Sequence, residues 1–233
     1  MRNATAYRYA PGIAFGNPGG TPYRVLIAGT ELRMVVLAVD ASGCIGVDLD
    51  SGAFVRSIHP PMPEVVHAFD VVSGEIEGTV EPPDAARPEA VLLAGPPQPA
   101  GALTPRRAER LLAPLHHPPQ LPLLGLPGKA VPYWTVAGDR PSLALVDVRN
   151  EPRLFWGSYG PECHFSWQGA AHDLALADPM LVAHMEAHGL SRPAHGDVQR
   201  LLGFRTRRLL VMLTPPENGY CHKVVAALLP SGR

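Results

Sequence analysis

Lysine is nearly missing from this chain: of its 20 basic residues only Lys129 and Lys223 are lysine, and the others are arginine. With the abundant alanine and proline, that bias reads as the mark of a GC-rich bacterial genome, which concerns the source and not the chemistry. Charge of either sign is also scarce, at 18% of the sequence against roughly 25% in an ordinary soluble domain. The formal net charge is −1, so a dominant electrostatic attraction to nucleic acid or to an anionic membrane is not expected. The 3 cysteines, Cys44, Cys163 and Cys221, are odd in number and far apart. A disulfide framework needs a denser, even set, so a reducing compartment is expected. No run approaches the ~20 apolar residues that span a bilayer. The opening residues, Met1–Tyr9, hold no apolar core of a signal peptide. Together these absences point to a cytoplasmic protein without a membrane partner.

Some motifs are missing as well. No glycine-rich sequence leads from a strand into a helix, so phosphate-loop nucleotide binding is not expected. The run Gly157-Ser158-Tyr159-Gly160 lacks the first spacer of a nucleophile elbow and reads as a turn at the end of a strand. No known family's motifs are matched.

Proline is what the chain has in excess, 27 of 233 residues, where about 5% is usual. Because proline fixes φ and removes a backbone donor, long helices and central strands must fit between its occurrences. Residues 1–22 read as an irregular arm. Residues 23–95 read as an antiparallel meander of short Val/Ile/Leu-rich runs, with turns at Ser42-Gly43, Ser51-Gly52 and Ser73-Gly74. Residues 96–132 read as a proline-rich connector holding one helix. That helix has Thr104 as N-cap, Pro105 at the first position, and Ala108, Leu111 and Leu112 on one face.

Residues 133–233 read as a mixed lobe. Strands are expected at Tyr133–Val136, Leu143–Val148, Arg153–Gly157 and Cys163–Gln168. A helix follows from Pro179, with Asp178 as N-cap, and a shorter one from about Asp197 to Leu202. A closing hairpin turns at Asn218-Gly219, the strongest turn signal in the chain. The expected fold class is therefore α+β and β-rich: an N-terminal antiparallel meander, a proline-rich connector with one helix, and a C-terminal strand group with two short helices.

The sharpest chemical pattern is His184-Met-Glu-Ala-His188. Helical positions four apart share a face, so both imidazoles could hold one transition metal. Glu186 lies about 200° around the helix from His184, which excludes the general base of a zinc protease. The pairs Cys163-His164 and Cys221-His222 are strand neighbours pointing to opposite faces, so neither is by itself a nucleophile and its base. Candidate binding residues are Trp134 and Trp156, within a concentration of aromatics, and the arginines Arg205, Arg207 and Arg208 beside Phe204. A second basic group, Arg106, Arg107 and Arg110, lies on the first helix.

Three functions follow from these residues. The first is a non-catalytic binding or assembly protein that engages a protein partner or itself and needs no cofactor. The second is an enzyme built on His164, His184, His188 and Cys163, with a transition metal as its cofactor. The third is a subunit of a nucleic-acid complex.

The runs Leu209–Leu213 and Val224–Leu229 are almost wholly apolar, the signature of strands covered on both faces. Deleting residues 214–233 is therefore expected to give an insoluble or unfolded product. A soluble truncation that melts cooperatively near the full-length temperature would make the hairpin an appendage.

Overall fold

The computed structural model describes residues 27–62, 65–79, 84–118, 122–136, 142–158, 160–188 and 197–231. The arm expected at 1–22 and the first residues of the meander, 23–26, lie outside them. The described residues form two antiparallel-dominated sheets and three short helices, the β-rich α+β class the sequence implies.

The first sheet holds β1 (Glu31–Asp40), β2 (Gly43–Asp48), β3 (Phe54–Ile58), β4 (Asp70–Thr79), β5 (Ala90–Leu93) and β6 (Gln98–Ala102). Its pairing runs β1–β2–β3–β5–β4 and returns from β4 to β1, with β3–β5 the parallel pair. That circuit closes the five strands into a small barrel. Strand alternation supplies its interior: Leu32, Met34 and Val36 of β1 meet Cys44, Val55, Val72, Ile76 and Leu93 inside the ring. Gly46 is required there, since a Cβ at that position would stand 2.0 Å from the Val35 carbonyl oxygen.

Two features depart from the expected meander. Ser73-Gly74 is not a turn, because β4 runs through it and pairs Gly74 with Leu32. Glycine serves a close approach there instead, with Leu93 and Pro97 packed over its α-carbon. The proline-rich connector also supplies sheet, as β6 adds to the edge beyond β4, and β5, inside the stretch expected as antiparallel meander, closes the barrel by pairing parallel to β3. Pro99 is tolerated in β6 because an edge strand need not donate on both sides.

The second sheet holds β7 (Ala130–Pro132), β8 (Leu143–Asp147), β9 (Arg153–Gly157), β10 (Gly160–Trp167), β11 (Ala170–Leu176), β12 (Thr206–Leu213) and β13 (Tyr220–Pro230). Its order is β8-β12-β13-β11-β10-β9, with β7 paired to the start of β13. Residues 133–135 form a single tight helical turn and not the strand expected there. The polar strand β11 had no counterpart in the sequence reading. The hairpin turns where expected, with Asn218 and Gly219 at φ 50° and 81° and reciprocal hydrogen bonds between Glu217 and Tyr220.

Both faces of β12 and β13 are buried, as their apolar runs require. One face packs Leu143, Leu145, Leu210, Met212 and Ala226 against Val35, Leu37, Ile45 and Val47 on the outside of the barrel. Helix α1 (Pro105–Leu112) fills the margin of that interface with Ala108 and Leu112. The other face carries α2 (Pro179–His188) and α3 (Asp197–Leu202) through Leu181, Met185 and Val198. Asp178 caps α2 as expected, accepting from the Met180 and Leu181 amides at 3.0 and 3.1 Å. Thr104 occupies the N-cap position of α1 without a side-chain bond.

Arg56 of β3 is the largest fully buried side chain among the described residues. Its Nη1 donates to Asp40 at 2.8 Å, Glu89 lies 3.5 Å from its Nε, and the Met212 sulfur of the second sheet is 3.7 Å from Nη2. Glu89 in turn accepts from the Ser142 hydroxyl and amide at the head of β8. Removing one partner of such a cluster leaves buried charge unpaired, typically at a cost of about 3–5 kcal/mol. A urea titration of Arg56→Ala is expected to show a loss of that size, and a loss below ~1 kcal/mol would mean that the seam tolerates the vacancy.

Candidate functional site

Alternation along β10 sends Cys163, Phe165 and Trp167 into the core beneath α2, and leaves His164 and Ser166 on the opposite face. The two remaining tryptophans behave differently. Trp156 is 42% exposed on β9, the edge strand of the second sheet. Trp134 is 73% exposed and meets Tyr220 edge to face, with ring centroids 6.0 Å apart. The two segments are tied by one backbone bond, the Tyr133 amide donating to the Gly219 carbonyl at 2.9 Å, and the Thr135 hydroxyl closes the local turn on the Pro132 carbonyl at 2.7 Å. The indole lies over the hairpin turn, where a Cβ on Gly219 would stand 3.7 Å from it.

The three arginines proposed as a binding group part company. Arg208 is buried on the barrel side, where its Nη2 donates to Glu109 of α1 at 2.6 Å. Nearby, burial and the Arg208 charge together lower the pKa of His116. Arg207 points the other way and is exposed, and Arg205 donates to Gln199 of α3 at 3.3 Å. Strand alternation and the buried ion pair thus break up the cluster that the sequence suggested. On the barrel itself, Ile45, Val47 and Phe54 of β2 and β3 are covered by the second sheet.

The enzyme residues do not converge either. The second sheet stands between His164 and α2, because α2 covers the Cys163 face. His184 is half-buried on α2; the placement of the His188 side chain lies outside the described residues. Among the described residues no three His, Cys, Asp or Glu side chains are grouped to hold a metal ion. All three thiols are free and buried. Burial pushes Cys44 up to about 11, and raises Cys163 and Cys221 as well, so none is a ready thiolate. What β10 and β11 do bring together is His164 and Asp173, with Nδ1 2.6 Å from Oδ1 on the open face. Arg153 of β9 is the register partner of His164 on its other side.

One residue was overlooked. Lys223 lies on β13 between Cys221 and Val225, is only 4% exposed, and donates from Nζ to the Leu126 carbonyl at 2.5 Å. Burial lowers its pKa from 10.5 to about 8. The sequence did carry a signal: a lysine inside a strand apolar on both faces has no solvent side to reach.

No family model matches this chain, and no curated protein or solved structure matches it.

Folded Lys223 releases its proton near 8, while the unfolded chain holds it to 10.5. Between those values the unfolded state binds more protons, so stability rises with pH. Wild type is therefore expected to gain stability relative to Lys223→Met as pH climbs from 8 towards 10, read by parallel urea titrations; a constant difference would contradict the shifted amine.

Proposed function

We propose that this is a non-catalytic binding protein that docks another protein chain on the Trp134–Tyr220 end of its second sheet. The observation that carries the reading is the 73% exposure of Trp134 on a backbone tied to the closing hairpin. Tryptophan and tyrosine dominate the energetics of protein contacts, and a side chain already held in place loses less entropy on binding. Residues 215–220 around the pair are all exposed, so a partner has room to surround the rings. Three unpaired, buried thiols support a reducing compartment, the cytoplasm of a bacterium. No helix among the described residues is long and apolar enough to cross a membrane.

A second reading, general-base chemistry, is favoured by one observation: Asp173 holds the His164 ring at 2.6 Å, as an orienting carboxylate does in acid–base sites. No nucleophile is hydrogen-bonded to that histidine among the described residues, which leaves the binding role preferred.

Site-specific photo-crosslinking in cells tests the proposal, with benzoylphenylalanine placed at Trp134 or at exposed Glu77 of β4. A discrete adduct from position 134 that disappears with Tyr220→Ala is the expected result, and an adduct of twice the chain mass would identify the partner as a second copy. Equal yields from the two positions, or none from 134, would overturn the assignment.

A further inference from the structure

Residues 122–126 form a strap on the second sheet, with Leu123, Leu124 and Leu126 buried in the same core cluster as Phe165 and Trp167. The chain on either side of the strap is fixed to the sheet by its backbone. Before it, the His117 amide donates to the Leu145 carbonyl of β8 at 2.8 Å; after it, the Lys223 amide of β13 donates to the Lys129 carbonyl at 2.9 Å. The strap itself is held by two side chains. Lys223 Nζ donates to the Leu126 carbonyl, and His117 Nε2 accepts from the Leu124 amide at 2.9 Å. Leu124 stands in the left-handed region at φ 60°, a backbone state that a leucine keeps only when its surroundings impose it.

The Leu124 bond dictates the protonation of His117. Nε2 accepts and so carries no proton, while Nδ1 donates to the Pro118 carbonyl at 3.0 Å. That is one tautomer of the neutral ring. An imidazolium has an N–H at both positions and no lone pair left to accept, so protonation abolishes the Leu124 bond and sets two N–H groups against each other. The ring's neighbours give a second positive charge no support. Trp167 of β10 stands edge-on at 5.1 Å, and the Gln168 amide reaches the same Pro118 carbonyl at 3.4 Å. From β13 the Lys223 charge acts on the ring directly. His172 of β11 lies on Trp167, 6.2 Å from it, and the preceding His116 feels the Arg208 charge instead.

We propose that His117 is a pH-operated latch: its neutral ring holds the strap 122–126 closed beside Trp167, and protonation frees the strap locally and uncovers the apolar face beneath it. Burial supports the device, since it holds His117 below its ordinary 6.5; the Pro118 carbonyl opposes that shift and the Lys223 charge adds to it. The closed form thus binds the proton less tightly than the open one. Closure is fully present above about pH 6.5 and weakens as the pH falls below that value. The latch is independent of the Trp134–Tyr220 surface proposed for the partner.

Amide exchange of the full chain at pH 7.5 and pH 5, corrected for the intrinsic rates, tests the latch. Protection of residues 122–126 is expected to fall about tenfold or more at the lower pH, while that of residues 209–213 in β12 holds. His117→Gln keeps an acceptor oxygen that does not titrate, so its strap should be equally protected at both values. Ring-nitrogen NMR of the wild type gives a second readout that needs no variant: His117 Nε2 should be unprotonated at pH 7.5 and should titrate in step with the exchange. Strap protection that ignores pH, a loss shared by β12, an undiminished loss in His117→Gln, or a protonated Nε2 at pH 7.5 would each overturn the proposal.

Discussion

The fold depends on one buried guanidinium. Arg56 leaves the third strand of the barrel and ends between the two sheets, where Asp40 and Glu89 hold it and Met212 of the second sheet closes over it. Charge taken from water is costly unless carboxylates stand by it, so three separate segments meet around Arg56, whose Nε itself makes no hydrogen bond. They are the end of β1, the approach to β5, and Ser142 at the start of β8, which binds the same Glu89. The apolar seam of Val35, Leu37, Ile45 and Val47 against Leu145, Leu210 and Met212 supplies the larger share of the driving force through buried area. The ion cluster ties the two layers together through Met212 and Ser142.

Docking the sheets this way decides where a ligand could go. The outer faces of β1 and β2 are consumed by the seam, so the barrel serves as a foundation. What it leaves outward is the far end of the second sheet, where Tyr220 at the start of β13 meets Trp134.

The sequence revealed elements whose local signals agreed with their tertiary surroundings. The α2 helix has a capping aspartate and a first-turn proline, and β12 and β13 are apolar enough to be recognised as covered on both faces. Elements defined by distant partners were hidden. β5 is four residues amid prolines, and it becomes a strand because β3 lies parallel to it. β11 is too polar for the usual pattern, since Asp173 and Ala171 face solvent beside His164 and Ser166. The candidate binding residues fared unevenly for the same reason. Trp134 and Trp156 do reach the surface, whereas Arg208 turns inward to meet Glu109, a partner 99 positions away.

Native-state hydrogen exchange tests whether the two sheets are one cooperative unit. Amides of Val35 and Val47 in the barrel and of Leu210 and Val225 in the second sheet should exchange with a common opening free energy equal to that of global unfolding. Barrel amides exchanging at a distinctly lower free energy, while those of the second sheet stay protected, would contradict the account.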